Sequence, residues 1–218
     1  MDPAEYQPLD ALLAAYVAAT LSVPLAALVE AHLELRPQSR RYVADLATLG
    51  GILLGEVAPR PLREHGRVLA AALAAQPDAS APAAIGTAGA APLPASLLRL
   101  IGRDPAGLSW RRVIPGLKEC PILVAPGIQA SLMRIGAGRR MPEHTHTGQE
   151  VVLVLEGGFS DVHGHYRRGD IEIADDTFRH RPVADRDGDC VFFVVRDGPV
   201  RLTGPIGRWI QRLRRDEP

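Results

Sequence analysis

The amino-acid sequence predicts an α+β protein with more than one domain, in which a small helical bundle precedes an all-β unit. Three observations predict this order. Residues 1–75 are rich in alanine and leucine, with apolar side chains at helical intervals. Residues 76–96 are rich in proline, alanine and glycine and indicate a linker. Residues 97–218 hold short alternating stretches separated by glycine and proline, a pattern typical of a β-barrel or sandwich.

Four helices are predicted in the first domain. The second begins after Ser22, a suitable N-cap residue, with Pro24 in its first turn. The third follows Pro37, and the fourth runs from Pro61 to about Gln76. The first helix carries an apolar face of Leu9, Leu12, Leu13 and Tyr16. Because all four are short, they must pack on one another or on a partner to persist.

Charge and composition limit the class of protein. The chain of 218 residues has 25 basic and 25 acidic side chains. This balance argues against non-specific binding to nucleic acid or to a membrane surface, since such binders carry a basic excess. The sequence shows no signal peptide and no run of eighteen apolar residues, so we expect a cytoplasmic protein. Cys120 and Cys190 are too few for a disulfide framework, which agrees with a reducing compartment.

One motif in the β-rich part predicts a specific chemistry. It reads G-x5-H-x-H-x3-E-x6-G and consists of Gly138, His144, His146, Glu150 and Gly157. Side chains two residues apart in a strand point to the same face, so the two histidines and the glutamate converge. Two imidazoles and a carboxylate are ligands that a first-row divalent metal accepts. His180, which follows a second alternating strand, is a fourth candidate ligand.

These features resemble the two motifs of the cupin family, small β-barrels that bind a metal through three histidines and one glutamate. The first motif fits at every position. In the second, Asp175, Thr177 and Ala184 replace the usual proline, glycine and asparagine, while His180 stands at the metal-binding position. The resemblance implies a double-stranded β-helix, or jelly-roll, barrel with the motif histidines, Glu150 and His180 as metal ligands.

Two further groups of residues are interpreted as structural. His163 and His165 form a second His-x-His sequence around Gly164, with no acidic residue at ligand spacing, so an exposed hairpin tip is expected. Cys190 begins an apolar strand and is expected to be a buried, inert thiol.

The order of helices, linker and cupin domain resembles the ChrR family of anti-sigma factors over nearly the whole chain. The resemblance is carried by residues 9–16, 20–22, 31–33, 169–175 and 180–184. Members of this family bind a sigma factor of the extracytoplasmic-function (ECF) type through a helical domain. Their cupin-like domain senses singlet oxygen or organic hydroperoxides. The resemblance implies an ECF sigma factor as partner. With the balanced charge, no direct contact with nucleic acid or membrane is expected, and self-association through the cupin domain is left open.

The resemblance also implies zinc as the metal, although iron, manganese, nickel and copper suit the same ligands. A second zinc site, usual in the helical domain of the family, is not expected here. His32 keeps one ligand of its His-x3-Cys-x2-Cys cluster, but Arg36 and Ser39 stand at the cysteines and Gln7 at an earlier histidine. One imidazole cannot form a structural zinc site, which needs four ligands. His32 is therefore expected to pack on an apolar helical face.

An alternative function uses the same four ligands. A metal-dependent cupin enzyme such as a dioxygenase would leave an open coordination position for substrate and oxygen. The ligands alone do not distinguish this enzyme from a regulator. The helical domain favours the regulator, because an enzyme acting on a small substrate has no obvious use for a partner-binding module. No catalytic residue is assigned.

Overall fold

The computed structural model describes residues 8–61, 64–75 and 93–203. The helices in these ranges are α1 (Pro8–Val17), α2 (Val23–Leu35), α3 (Pro37–Gly55), α4 (His65–Ala74) and α5 (Ala95–Ile101). The strands are β1 (Arg111–Ile114), β2 (Leu117–Ala125), β3 (Ile128–Ile135), β4 (His144–His146), β5 (Glu150–Glu156), β6 (Gly158–Ser160), β7 (His165–Arg167), β8 (Ile171–Ala174), β9 (Val183–Ala184), β10 (Cys190–Arg196) and β11 (Val200–Leu202). None of the helices in this part of the chain combines the length and apolar character that crossing a membrane requires.

The junction between α2 and α3 is set by a proline. Arg36 adopts an extended conformation, with φ −123° and ψ 96°, and forms both the C-cap of α2 and the N-cap of α3. A residue before proline is disfavoured in the helical region, so Pro37 forces the break and then begins the next helix. Ser22 occupies the N-cap of α2 as predicted, but its side chain makes no capping hydrogen bond.

The strands fall into three antiparallel sheets. Six strands form the largest sheet in the order β1-β2-β3-β10-β5-β8, three form β7-β6-β9, and two form β11-β4. In the described residues these sheets do not close into the jelly-roll barrel expected from the resemblance, whereas the β-rich character predicted for this part of the chain is confirmed. Pro142 and Pro182 explain part of the difference, because they lie between the isolated bridges Arg140–Val183 and His144–His180 and cannot donate a backbone hydrogen bond.

The helices cover one face of the six-stranded sheet. Leu28 and Leu97 from the helices pack in one apolar cluster with Leu153 and Phe193 from the sheet. Phe192, which precedes Phe193 in β10, points to the opposite face of the sheet and belongs to a second apolar cluster. Since β5 and β10 are buried on both faces, their sequences are nearly continuous apolar runs. The second face is the one that contains the candidate site.

Two helical segments remain outside this core. No described residue of α4 is buried, and the second half of α3 is exposed from Ala47 onward. By contrast, α5 packs against α2, and the backbone N–H groups of Ala95 and Ser96 donate to the Glu34 carboxylate at 2.7 and 2.9 Å. Helix α5 thus begins inside the last two residues of the predicted linker. Residues 76–92 of that linker lie outside the described residues.

Candidate metal centre

Four side chains from three parts of the chain meet inside the β-rich part. His144 and His146 lie on β4, Glu150 begins β5, and His180 follows β8. All four side chains are buried, and one ligand-type atom of each lies within 4.8 Å of the others. The structure therefore brings together the four residues that the sequence pattern singled out.

Backbone pairing sets the distances between these side chains. On β4 both histidines are buried while Thr145 is half-buried, as the alternation of a strand requires. His144 and His180 exchange two backbone hydrogen bonds of 3.1 and 3.2 Å across an isolated bridge. Glu150 is paired on its two sides with Ala174 of β8 and Arg196 of β10.

Hydrogen bonds to the outer ring nitrogens orient two of the imidazoles. The Nδ1 atom of His144 lies 2.8 Å from the Pro142 carbonyl oxygen, and Nδ1 of His180 lies 3.0 Å from an Asp161 carboxylate oxygen. Both oxygens accept, so both Nδ1 atoms donate, and in the neutral rings each Nε2 keeps a lone pair. These two Nε2 atoms face each other at 2.9 Å. A cation bound by both would remove the repulsion between the lone pairs.

The other two side chains of the cluster are His146 and Glu150. Nδ1 of His146 is buried, has no hydrogen-bond partner among the described residues, and lies 3.6 Å from Glu150 Oε2. Burial raises the pKa of Glu150 to about 7. Burial, together with the neighbouring imidazoles, lowers the pKa of His144 to about 4 and that of His146 to about 3. Neutral imidazoles are the form that binds a metal, and a bound cation would favour the ionised carboxylate.

The space beside the cluster suits a small ion. A cavity of about 30 Å³ is bordered by His144, Glu150 and His180. That volume is in the range that holds one water molecule or an ion of similar size. Two imidazoles and one carboxylate border this space, and His146 lies next to Glu150, so the four side chains form a donor set that fits a first-row divalent metal.

Two buried carboxylates that the motif did not predict support His180. Asp161 and Glu172 lie 3.0 and 3.4 Å from its Nδ1 atom. Although burial disfavours the charged ring, the hydrogen bonds and charges of these carboxylates raise the pKa of His180. Glu172 could have been identified from the sequence, because it is a lone acidic residue between Ile171 and Ile173 in an alternating strand. Asp161 could not, since it lies in a turn and reaches the site only through the fold.

The remaining candidates lie outside the cluster. The His163 side chain is exposed and stacks on Phe178, with ring centroids 3.7 Å apart, while His165 pairs with Asp185 at 3.0 Å. Cys190 is fully buried, and burial raises the pKa of its thiol to about 12. It is therefore a buried thiol with little thiolate at neutral pH, as the sequence predicted.

Comparison with known proteins identifies related chains. Residues 100–201 match the family model described as the ChrR cupin-like domain. Anti-sigma-E factor ChrR of Cereibacter sphaeroides is 36% identical over 203 residues, which cover 93% of this chain and 94% of that protein. A chain from the crystal structure of Rhodobacter sphaeroides SigE in complex with the anti-sigma ChrR matches with a TM-score of 0.69 and 35% identity, over 86% of this chain and 96% of the other.

Proposed function

Because this chain belongs to the ChrR family, we propose that it is an anti-sigma factor that sequesters an ECF-type sigma factor through its helices. The proposal rests on a relative of similar length that carries the name anti-sigma-E factor. It rests also on a matching structure, that of Rhodobacter sphaeroides SigE in complex with the anti-sigma ChrR. Since a sigma factor acts on RNA polymerase, the proposal includes a cytoplasmic location.

The observation that carries the proposal is an exposed apolar surface on α3 and α4. Its seven side chains are between 47% and 78% exposed: Leu49, Ile52, Leu53, Leu54, Val68, Leu69 and Leu73. Exposed apolar side chains concentrated on a helix are typical of a protein-binding surface, because covering them removes unfavourable contact with water. Binding of the sigma factor would cover these side chains, and the helices would then act as the anti-sigma domain.

The cupin-like domain carries the regulatory part of the proposal. We infer that His144, His146, Glu150 and His180 bind one divalent metal, with zinc expected from the family. When bound, the ion would balance the Glu150 charge and occupy the lone pairs of the imidazoles. The signal expected from the family is singlet oxygen or an organic hydroperoxide. By linkage, such a signal can release the sigma factor only if it changes the free energies of the bound and free states differently.

The test of the partner uses substitutions on the exposed surface. Co-expression with an ECF sigma factor encoded beside this chain should give a complex in size-exclusion chromatography and repression in a promoter assay. The double variant Ile52→Asp/Leu53→Asp should lose both, because it places two charges on the proposed interface. Val124→Asp is the matched control, since Val124 is an equally exposed apolar residue at the end of β2. Absence of a complex with the wild-type chain would contradict the proposal.

One observation favours an enzyme as the second candidate. A cleft of about 980 Å³ opens beside His144 and is lined by Arg111, Arg112 and Met133 among other residues. A space of this size accommodates a small organic substrate next to a metal. Turnover of a diketone, a quercetin-like compound or a thiol by the metal-loaded chain, together with no sigma binding, would establish a dioxygenase and exclude the regulator.

A further inference from the structure

The end of α2 and the start of α3 contact the turn that precedes β8. Three side chains from the helices take part, namely His32, Arg36 and Ser39, and the turn contributes the backbone of Arg168 and Gly169 and the carboxylate of Asp170. This set is called the α2–β8 contact below. It joins residues more than 130 positions apart in the sequence. It is formed at the positions where the family resemblance placed zinc ligands.

His32 uses both ring nitrogens in this contact. Nδ1 lies 2.7 Å from the Gly169 carbonyl oxygen, and Nε2 lies 2.7 Å from Ser39 Oγ. A carbonyl oxygen only accepts, so Nδ1 donates, and the lone pair of Nε2 accepts from the Ser39 hydroxyl. The ring is buried, and burial lowers its pKa, in agreement with a neutral imidazole. Neither nitrogen is left for a metal, so His32 joins two parts of the chain.

Arg36 binds the same turn through its guanidinium group. Nη2 donates to the Asp170 carboxylate at 2.6 Å and to the Arg168 carbonyl oxygen at 2.8 Å. The other oxygen of Asp170 accepts from the Arg167 backbone N–H at 2.8 Å, so the carboxylate is held in place from both sides. A half-exposed ion pair alone contributes little, but here it adds to two hydrogen bonds on adjacent residues.

The close approach requires glycine at position 169. Its φ of +87° is favourable only for glycine, and a Cβ atom there would lie 2.8 Å from Arg36 Nε and 3.1 Å from Leu35 Cβ. Arg36 Nε itself is buried without a hydrogen-bond partner among the described residues. The turn and the helix end are thus fitted closely to each other.

The strand that follows this turn leads directly to the metal centre. Asp170 is two residues before Glu172, whose buried carboxylate lies 3.4 Å from His180 Nδ1. On the opposite face of β8, Ile171 and Ile173 pack in the apolar cluster that contains the helices. One strand of four residues therefore touches the helices on one face and supports a candidate metal ligand on the other.

We propose that the α2–β8 contact couples the helices to the metal centre, so that metal binding and the contact stabilise each other. A metal held by His180 fixes Glu172 and with it β8, which presents Gly169 and Asp170 to His32 and Arg36. By linkage, breaking the contact must weaken metal binding by the factor by which metal binding strengthens the contact. This coupling rests on the metal centre of the proposed function. It connects metal binding with the helices that carry the proposed sigma-binding surface.

The test measures zinc affinity of the full chain without any sigma factor. The variants are Arg36→Ala, Asp170→Ala and the double variant, and zinc is titrated against a competing chromophoric chelator. Each single variant should weaken zinc binding about fivefold or more, the range of measured couplings, and the double variant no further. Arg99→Ala is the matched control, because Arg99 forms a similar half-exposed pair with Glu30 at 3.0 Å that does not involve β8. It should leave zinc affinity unchanged.

Amide hydrogen exchange gives a second measurement on the same proteins. Zinc should slow exchange in residues 23–35 of the wild-type chain and leave that segment unaffected in Arg36→Ala. Equal zinc affinity in the Arg36→Ala and Arg99→Ala variants, or no effect of zinc on α2 in the wild type, overturns the coupling alone. A wild-type chain that binds no zinc overturns the metal centre and the coupling together. No sigma factor is present in these measurements. Failure of the chain to bind a sigma factor would therefore be a separate result that leaves the coupling unaffected.

Discussion

At the scale of single residues, the candidate metal centre depends on the four ligand side chains and equally on the groups that hydrogen-bond to them. A histidine offers a metal the nitrogen that its other hydrogen bond leaves free. The Pro142 carbonyl accepts from Nδ1 of His144 and the Asp161 carboxylate accepts from Nδ1 of His180, which leaves Nε2 of each ring for the metal. Asp161 also accepts from the backbone of His163 and Gly164, so its position is fixed by its own turn.

Replacing Asp161 should therefore weaken metal binding without removing a ligand. In Asp161→Asn the acceptor for His180 loses its charge, and we expect zinc affinity to fall about 10- to 100-fold, the usual effect of removing such a partner. Competition with a chelator measures this change. Asp185→Asn is the matched control, since Asp185 forms a His–Asp contact of the same length with His165 outside the centre. Equal affinities for the two variants would contradict a positioning role for Asp161.

Glu119 predicts a dependence of stability on pH. Although burial raises its pKa, hydrogen bonds from Arg111 and Ser131 and the charge of Arg196 hold the pKa below the ordinary value of 4.5. The ionised carboxylate therefore stabilises the fold above pH 4.5, and this contribution is lost as the pH falls through the lower, folded-state pKa.

The variant Glu119→Gln should be less stable than the wild type by about 1–3 kcal/mol at pH 7. The difference should shrink as the pH falls below 4.5, because the wild-type carboxylate then becomes protonated. Urea unfolding at several pH values measures it. Glu56→Gln, at an exposed position, should show no such difference at any pH. A stability difference that persists undiminished in acid would contradict the role of the charge.

At the scale of elements, α3 divides into two halves with different surroundings. Its first half contacts α1 and α2, and Val43 packs against their apolar cluster. Its second half is exposed and nevertheless carries apolar side chains. An amphipathic helix normally buries its apolar face within its own protein, so this half of α3 indicates a surface for another protein.

Substitution on the exposed half should consequently leave stability unchanged. Ile52→Gln is expected to alter the free energy of unfolding of the isolated chain by less than about 0.5 kcal/mol, as at other surface sites. Leu28→Ala, on the buried face of α2, should cost about 2–5 kcal/mol. Chemical denaturation of both variants tests this contrast. A loss of several kcal/mol in Ile52→Gln would mean that α3 packs on its own chain and would remove the support for a partner surface.

At the scale of the whole molecule, groups of side chains that could bind a metal are unevenly distributed. Among the residues that the structure describes, the two groups of His, Cys, Asp and Glu with suitable geometry both lie in the β-rich part and share His180. In the helices, His32 binds Ser39 and Gly169, and Arg36 binds Asp170. The residues at which the family resemblance placed a second zinc therefore form hydrogen bonds with one another and with the turn before β8.

The whole chain should therefore bind one equivalent of zinc. Elemental analysis of the purified protein measures the ratio, and His144→Ala or Glu150→Ala should lower it and reduce stability, because ligand loss removes binding free energy that is coupled to folding. His163→Ala is the control and should keep both the metal and the stability. Two equivalents in the wild type, or a full equivalent retained in His144→Ala, would contradict a single zinc site formed by these ligands.

The sequence by itself determined the features that depend on near neighbours along the chain. The spacing of His144, His146 and Glu150 follows from the alternation of a strand, and their convergence could be predicted for that reason. Helical periodicity likewise predicted α1 to α3, and Pro37 predicted where α3 begins.

Tertiary structure alone decided the contacts between distant segments. Asp161 contacts His180, 19 residues away in the sequence, and Arg36 contacts Asp170, 134 residues away. No local sequence pattern predicts contacts at such separations. The same holds for the sheets, which stay separate where Pro142 and Pro182 interrupt the ladder, although the family resemblance implied a barrel. Local spacing fixes which side chains share a face, whereas the packing of helices on the sheet fixes which faces meet.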